Sequence, residues 1–81
     1  MRVRVLTFAA IREIVGDASR TLVLPEGATA GDAWSALAGE FPALGRIEGS
    51  TRLARNGVII DGAALLSEGD ELAVLPPFGG G

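Results

Sequence analysis

The sequence predicts an α+β fold in which a mixed sheet of about five strands is crossed by one main helix. Three observations support this prediction. The first segment alternates arginine with valine, one central stretch repeats apolar residues at helical spacing, and the second half is divided by closely spaced turn signals. At 81 residues, the chain is long enough for one domain with a single modest core.

The first half is predicted to contain two strands separated by a short helix. Residues 2–8 form the first strand, because Val3 and Val5 fall on the face opposite the arginines beside them. The short helix carries apolar residues at helical spacing and ends at Gly16, which suits the left-handed position after a helix C-terminus. Residues 19–24 form the second strand.

The clearest helix signal lies in the middle of the chain. Thr29 is the predicted N-cap, Asp32 takes the capping-box position three residues later, and Pro42 stops the helix. Its apolar residues form one stripe of helical spacing: Ala30, Ala33, Trp34, Leu37, Ala38 and Phe41. Such a stripe is typical of a helix that packs across a sheet, so we assign Trp34 and Phe41 to the core rather than to a ligand site.

The second half is predicted to contain three short strands. Residues 51–55 pair with residues 58–60 through Asn56-Gly57, the strongest short hairpin signal. Residues 71–75 form the last strand, which Pro76-Pro77 ends. If the first and last strands pair in parallel, this order of elements gives a ubiquitin-like β-grasp. Residues 1–75 would then be the domain and residues 76–81 an extended tail.

The tail carries the most informative residues of the chain. Its glycines add no bulk and impose no sign on φ, so this end can enter a narrow channel. The group it would present there is the terminal carboxylate of Gly81. The alternative is an inert, floppy end, since termini are commonly disordered. The tail residues are Pro76, Pro77, Phe78, Gly79, Gly80 and Gly81.

The composition disfavours an enzyme that acts alone. The chain contains no Cys, His, Tyr or Lys, so it lacks thiol nucleophiles, Schiff-base amines, imidazole bases and the commonest soft metal ligands. No nucleophile elbow or Gly-rich phosphate loop is present. We therefore expect no catalytic residue, no metal and no resident cofactor.

The charge and the hydropathy pattern limit which partners and which location are expected. The formal net charge is −3 and no basic stretch is present, which disfavours nucleic acid and slightly favours docking onto a basic protein surface. No apolar run approaches the roughly 20 residues of a membrane span, and no signal-peptide pattern follows the N-terminus. The expected location is the cytoplasm, without membrane attachment.

Three segments resemble one known family. Residues 8–16 read Phe-Ala-Ala-Ile-Arg-Glu-Ile-Val-Gly, Asn56-Gly57 supplies a turn, and residues 66–77 combine a turn, a strand and a double proline ahead of the glycine end. Together they resemble the MoaD/ThiS superfamily of β-grasp sulfur carriers, most closely its branch of molybdopterin synthase small subunits. Phe78, Gly79 and Arg55 depart from the residues common in that branch, which leaves the identity of the partner open.

The resemblance implies a carrier function for the tail. An ATP-dependent, E1-like activating enzyme would adenylate Gly81, and a sulfur donor would displace AMP to leave a thiocarboxylate. The tail would then enter the large subunit of molybdopterin synthase and pass its sulfur to cyclic pyranopterin monophosphate, in molybdenum cofactor biosynthesis. The chain would be a sulfur-donating subunit without catalytic residues of its own.

The expected docking face is the side of the sheet away from Trp34 and Phe41. Strand alternation, guided by the resemblance, assigns Ile59, Ile60 and Leu75 to this face. Arg12 is expected near the root of the tail. Three alternatives remain open: a carrier for thiazole, cysteine or tRNA thiolation, a ubiquitin-like modifier of lysines, and a β-grasp binding module with an inert tail.

Overall fold

The structure, a computed structural model, describes residues 1–76 except for the side chain of Glu48. Within this range the chain forms five strands, two α-helices and one 3-10 helix. In chain order these are β1 (Arg2–Thr7), α1 (Ala9–Val15), β2 (Ser19–Val23), α2 (Ala30–Glu40), the 3-10 helix (Pro42–Ser50), β3 (Arg52–Arg55), β4 (Val58–Ile60) and β5 (Glu71–Leu75).

The five strands form one mixed sheet in the order β2-β1-β5-β3-β4. The first and last strands are central and pair in parallel, with Val5 opposite Leu72, while the other pairs are antiparallel. This parallel pair, covered by α2, is the arrangement of a ubiquitin-like β-grasp, so the predicted fold is confirmed. No helix in the described part of the chain is long and apolar enough to cross a membrane.

The core lies between one face of the sheet and the helices. Both central strands alternate strictly: Val3 and Val5 are no more than 1% exposed, and so are Leu72 and Val74. The stripe of α2 covers them, with Leu37 completely buried, whereas Ala38 and Phe41 are partly buried at its edge. Trp34 is 7% exposed within the same cluster, which confirms its assignment to the core.

Both helix termini that the sequence indicated are formed by the expected residues. Gly16 follows α1 with φ of 91°, and its backbone N–H donates to the carbonyl of Arg12. At the start of α2, the Asp32 N–H donates to the Thr29 hydroxyl at 3.1 Å. In return, the Thr29 N–H donates to the Asp32 carboxylate at 2.8 Å. The capping box is therefore complete and satisfies two groups that would otherwise lack partners.

The 3-10 helix was not predicted from the sequence. Pro42 has no N–H and cannot extend α2, but its fixed φ is compatible with the first turn of a new helix. Leu44 is completely buried in the core cluster and anchors this segment. The 3-10 helix therefore closes one end of the core before the chain enters β3.

Asn56 ties the β3–β4 turn to the start of β5. Asn56 and Gly57 both have positive φ, 50° and 86°, as a two-residue hairpin turn of the Asn-Gly type requires. The Asn56 amide donates to the Asp70 carboxylate at 3.0 Å, and its carbonyl oxygen accepts from the Glu71 N–H at 2.9 Å. One side chain therefore connects two turns that are separated by 14 residues in sequence.

Replacing Asn56 with alanine should lower the free energy of unfolding by about 2 kcal/mol, because two hydrogen bonds are lost and alanine tolerates positive φ less well than asparagine. Urea denaturation of the wild type, Asn56→Ala and Asn56→Gly would separate these effects. Glycine adopts positive φ without strain, so the free energy of unfolding of Asn56→Gly should fall by only about 1 kcal/mol. An alanine variant as stable as the wild type would contradict the structural role of this residue.

The Asp70 carboxylate has a lowered pKa in the folded chain. The two largest causes, in order of size, are hydrogen bonds from the Ser67 N–H and from the Asn56 amide, and the charge of Arg55 contributes in the same direction. Because the folded-state pKa lies below the ordinary 3.8, this interaction stabilises the fold above that pH. The stabilisation is lost as the pH falls through the folded-state pKa.

The Asp70→Asn variant should therefore show a smaller loss of stability on acidification than the wild type. The measurement is the midpoint of urea unfolding at a series of pH values from neutral to about 2, which spans the carboxylate range. If the urea midpoint of both chains falls identically as the pH is lowered, Asp70 contributes nothing to acid unfolding.

Candidate functional site

The candidate site lies on the side of the sheet that faces away from α2, which we call the outer face. Alternate residues of a strand point to opposite faces. In β5, for example, Leu72 and Val74 are buried in the core, so Ala73 and Leu75 face outward. The outward strand positions are Arg2, Arg4, Leu6, Ser19, Thr21, Val23, Arg52, Ala54, Ile59, Glu71, Ala73 and Leu75.

An apolar row crosses the outer face over four neighbouring strands. The strand register aligns Leu6 with Ala73, Ala73 with Ala54, and Ala54 with Ile59. Ala54 is only 6% exposed although it lies outside the core cluster, whereas Ile59 at the edge is 55% exposed. We call these four residues the apolar row. An aligned row of apolar side chains that ends in an exposed isoleucine is a candidate protein contact.

The tail root, Leu75 and Pro76, lies at one end of this face. Both residues are partly buried, and Leu75 is opposite Arg52 in the strand register. Phe8 directly follows β1, is 37% exposed and continues the outward alternation of that strand in extended conformation. The tail root therefore has Phe8 on the β1 side and Arg52 on the β3 side.

Arg12 lies at the end of β1. Its guanidinium carbon is 6.0 Å from the centre of the Phe8 ring, within the range of a cation–π contact. Its Nε donates to the carbonyl oxygen of Thr7 at 3.4 Å. Thr7 is opposite Val74 in the register, so both contacts are made near the end of β5. The role of Arg12 in an interface stays a prediction.

The placement of Ile60 on the docking face was wrong. Ile60 is opposite Leu53 in the register and packs against the core cluster. Its neighbour Ile59 is the outward residue of β4. The reason is the two-residue period of a strand, which sends adjacent residues to opposite faces. Of the predicted interface residues in strands, Ile59 and Leu75 therefore face outward, and Ile60 does not.

The predicted tail lies almost entirely outside the described residues. Pro76 is described and follows directly on β5, which ends at Leu75. Pro77, Phe78, Gly79, Gly80 and Gly81 are not described. The division into a domain of residues 1–75 and a tail of residues 76–81 therefore stays a prediction.

The outer face is positively charged, unlike the chain as a whole. Its strand positions hold Arg2, Arg4 and Arg52 against Glu71. The rest of the sequence has four arginines against nine acidic residues. The net charge of −3 therefore does not describe the strand positions of this face, and the expected docking onto a basic protein surface stays a prediction.

The described residues contain no group of three or more His, Cys, Asp or Glu side chains that could hold a metal ion. A cleft of about 320 Å³ lies on the helix side and has no ionisable side chain in its lining, which consists of Gly31, Trp34, Ser35, Thr51, Leu53 and Gly62.

Sequence reasoning missed several residues of the outer face. Leu6 continues the alternation of Arg2 and Arg4, so the period of β1 already contained the signal for it. Ala73 and Ala54 could not be found in this way, because their importance depends on which strands are neighbours. Only the observed strand order brings them into the apolar row.

Comparison with known proteins agrees with the fold and the resemblance. The ThiS family matches residues 5–81. The molybdopterin synthase sulfur carrier subunit of Arabidopsis thaliana is 35% identical over 81 residues, which cover all of this chain and 84% of that protein. Small archaeal modifier protein 3 of Haloferax volcanii is 33% identical over 92 residues, with both chains fully covered.

A solved structure matches over its whole length as well. The crystal structure of SAMP1 from Haloferax volcanii superposes with a TM-score of 0.87 at 32% identity, covering 100% of both chains. The relatives therefore include a protein named as a sulfur carrier and proteins named as modifiers. With its family match over nearly the whole length, this chain belongs to the ThiS family.

Proposed function

We propose that this chain is the sulfur-donating subunit of a molybdopterin synthase. Gly81 would carry sulfur as a thiocarboxylate, and the large subunit of the synthase would accept the tail and transfer the sulfur to cyclic pyranopterin monophosphate. The same proposal places the chain in the cytoplasm, where an E1-like enzyme and ATP would activate it. The similarity to the sulfur carrier subunit of Arabidopsis thaliana supports this assignment.

The observation that carries the proposal is the position of the tail root. β5 is a central strand, and its last outward residue, Leu75, adjoins the apolar row and is followed by Pro76. A partner that covers the outer face would therefore meet the start of the tail at the edge of the same contact. The four residues from Phe78 to Gly81 can reach at most about 14 Å when extended. This length suffices to enter a pocket in a docked partner.

The proposed chemistry assigns different tasks to the two proteins. The Gly81 carboxylate is a poor acyl donor until its oxygen attacks the α-phosphate of ATP, which releases pyrophosphate and forms an acyl adenylate. A donor that supplies sulfur at the oxidation level of sulfide then attacks the acyl carbon. A C–S bond forms, the C–O bond to AMP breaks, and the products are the thiocarboxylate and AMP. These steps need no side chain of this chain, which agrees with its lack of Cys, His and Lys.

A single-turnover experiment tests this function. The chain carrying a thiocarboxylate would be mixed with the large subunit and cyclic pyranopterin monophosphate, and its intact mass would be followed with time. We expect the mass to return to that of the carboxylate while a dithiolene product forms. A thiocarboxylate that persists in the presence of an active large subunit would assign this carrier to another acceptor.

A second candidate function is that of a ubiquitin-like modifier, favoured by the similarity to small archaeal modifier proteins. It shares the activation step but predicts an amide between Gly81 and a lysine of another protein. Incubation with ATP, the activating enzyme and a cell extract would distinguish the two functions. Modification would yield larger, covalently linked products that persist in denaturing gels, whereas a carrier alone would yield none.

A further inference from the structure

The charged groups of the outer face do not follow the distribution of the rest of the surface. Three of the chain's seven basic residues occupy outward strand positions, where only one of the ten acidic residues is found. Arg2 and Arg4 lie at the β1 end away from the tail root, and Arg52 lies beside Leu75. The apolar row runs between these two groups of charge.

The three guanidinium groups have no partner within the described chain. Arg2, Arg4 and Arg52 form no side-chain hydrogen bond or ion pair with residues 1–76. Arg20, by contrast, bonds to Asp17 and Glu40, and Arg55 donates to the carbonyl of Leu65 at 2.6 Å. Arg20 and Arg55 thus bond within the chain, whereas the three arginines of the outer face are available to another molecule.

The surface beside Arg2 and Arg4 contains a recess. It has a volume of about 270 Å³ and is lined by Arg2, Val3, Arg4, Thr21, Gly69 and Glu71. Planar guanidinium groups bind carboxylates through two parallel hydrogen bonds. Two such groups at an open recess can bind an acidic side chain of a partner, in competition with Glu71 in the lining and with the Glu68 carboxylate, which accepts from the Arg2 N–H at 2.9 Å.

We propose that the outer face docks onto a protein surface that is acidic around an apolar centre. This inference rests on the proposed function, because it states the chemistry of the surface that the large subunit presents to this chain. The apolar row and Leu75 fill the centre, and carboxylates of the partner approach Arg2 and Arg4 on one side and Arg52 on the other. Opposite charges at the rim of an interface mainly accelerate association.

The test is the salt dependence of association with the large subunit from the same organism. The variants are Arg4→Glu and a matched control, Arg46→Glu, which makes the same change of charge on the exposed surface of the 3-10 helix. At about 50 mM salt, Arg4→Glu should associate roughly tenfold more slowly than the wild type. The control should stay within about twofold of the wild type, because Arg46 belongs to the 3-10 helix and not to the strand positions of the outer face.

Salt should remove the difference between the variants. At about 1 M salt, where charges are screened beyond roughly 3 Å, Arg4→Glu and the wild type should associate at similar rates. An association rate that is unchanged or increased in Arg4→Glu at low salt would overturn the acidic partner surface while leaving the proposed function intact.

The result for the wild type separates the two proposals. If the wild type does not bind the large subunit at all, the proposed function fails, and the same variants are measured on the ATP-dependent activating enzyme. A slowed Arg4→Glu there would support an acidic docking surface on that enzyme. Equal rates, or no binding to either protein, would overturn the inference.

Discussion

Removal of Gly80 and Gly81 is expected to abolish sulfur loading completely while leaving the domain folded. The reason is the reach of the tail, because the shortened chain still ends in a carboxylate, but that of Gly79. This carboxylate would stop about 7 Å short of the position of Gly81 at full extension. Intact mass after incubation with ATP, the activating enzyme and a sulfur donor measures the loss.

Thermal or urea unfolding provides the control for this deletion. Both residues follow the last described strand, so the free energy of unfolding should change by less than about 0.5 kcal/mol. A shortened chain that still gains sulfur would place the acceptor group elsewhere in the molecule. A shortened chain with full activity of its pathway in cells would favour a binding module with an inert tail.

Leu75→Asp is expected to weaken binding to the large subunit by about 2 kcal/mol or more, roughly thirtyfold in the dissociation constant. Leu75 is a partly buried, outward residue at the tail root, opposite Arg52. A charge there would lie in the apolar part of the contact, where it loses its hydration without gaining a partner. Calorimetric titration of the folded variant into the large subunit measures the effect.

Val58→Asp is the matched control for this substitution. Val58 is also an apolar strand residue and is 65% exposed, but it lies on the side of β4 that faces away from the outer face. This variant should bind like the wild type. Equal loss of binding in both variants, or loss of the folded state in Leu75→Asp, would contradict the assignment of the outer face as the docking surface.

Most of the fold was predictable because its signals are local. The alternation in β1, the capping box of Thr29 and Asp32, and the Asn56-Gly57 turn each depend on residues close in sequence, and all three are present in the structure. The parallel pairing of β1 and β5, by contrast, was expected only from the resemblance. That pairing brings together two segments about 70 residues apart, and no short pattern can specify it.

Two parts of the fold could not be predicted: a segment with too few apolar residues to show a repeat, and a strand too short for its two faces to be told apart. The segment Pro42–Ser50 has only two apolar residues that pack inward, Leu44 and Ile47, which are too few to establish a period from the sequence. β4 has only three residues, so its faces could not be assigned from alternation alone, and Ile60 was placed on the wrong one. A shift of one residue in a strand exchanges its two faces.

The charge of the outer face was unpredictable for a similar reason. Composition supplied a net value for the whole chain, whereas the docking surface depends on which residues the sheet brings side by side. Arg52 reaches the outer face next to β5 only because β3 and β5 are neighbours. The candidate site is therefore a property of strand order, and the carrier chemistry is a property of the last residue.

The most direct measurement is the intact mass of the full-length chain after incubation with ATP, its activating enzyme and a sulfur donor. We expect an increase that matches the replacement of one oxygen by sulfur, located at Gly81 by fragmentation and absent when ATP is omitted. An unchanged mass, obtained with an activating enzyme that loads another carrier in the same preparation, would contradict the proposal that this chain carries sulfur.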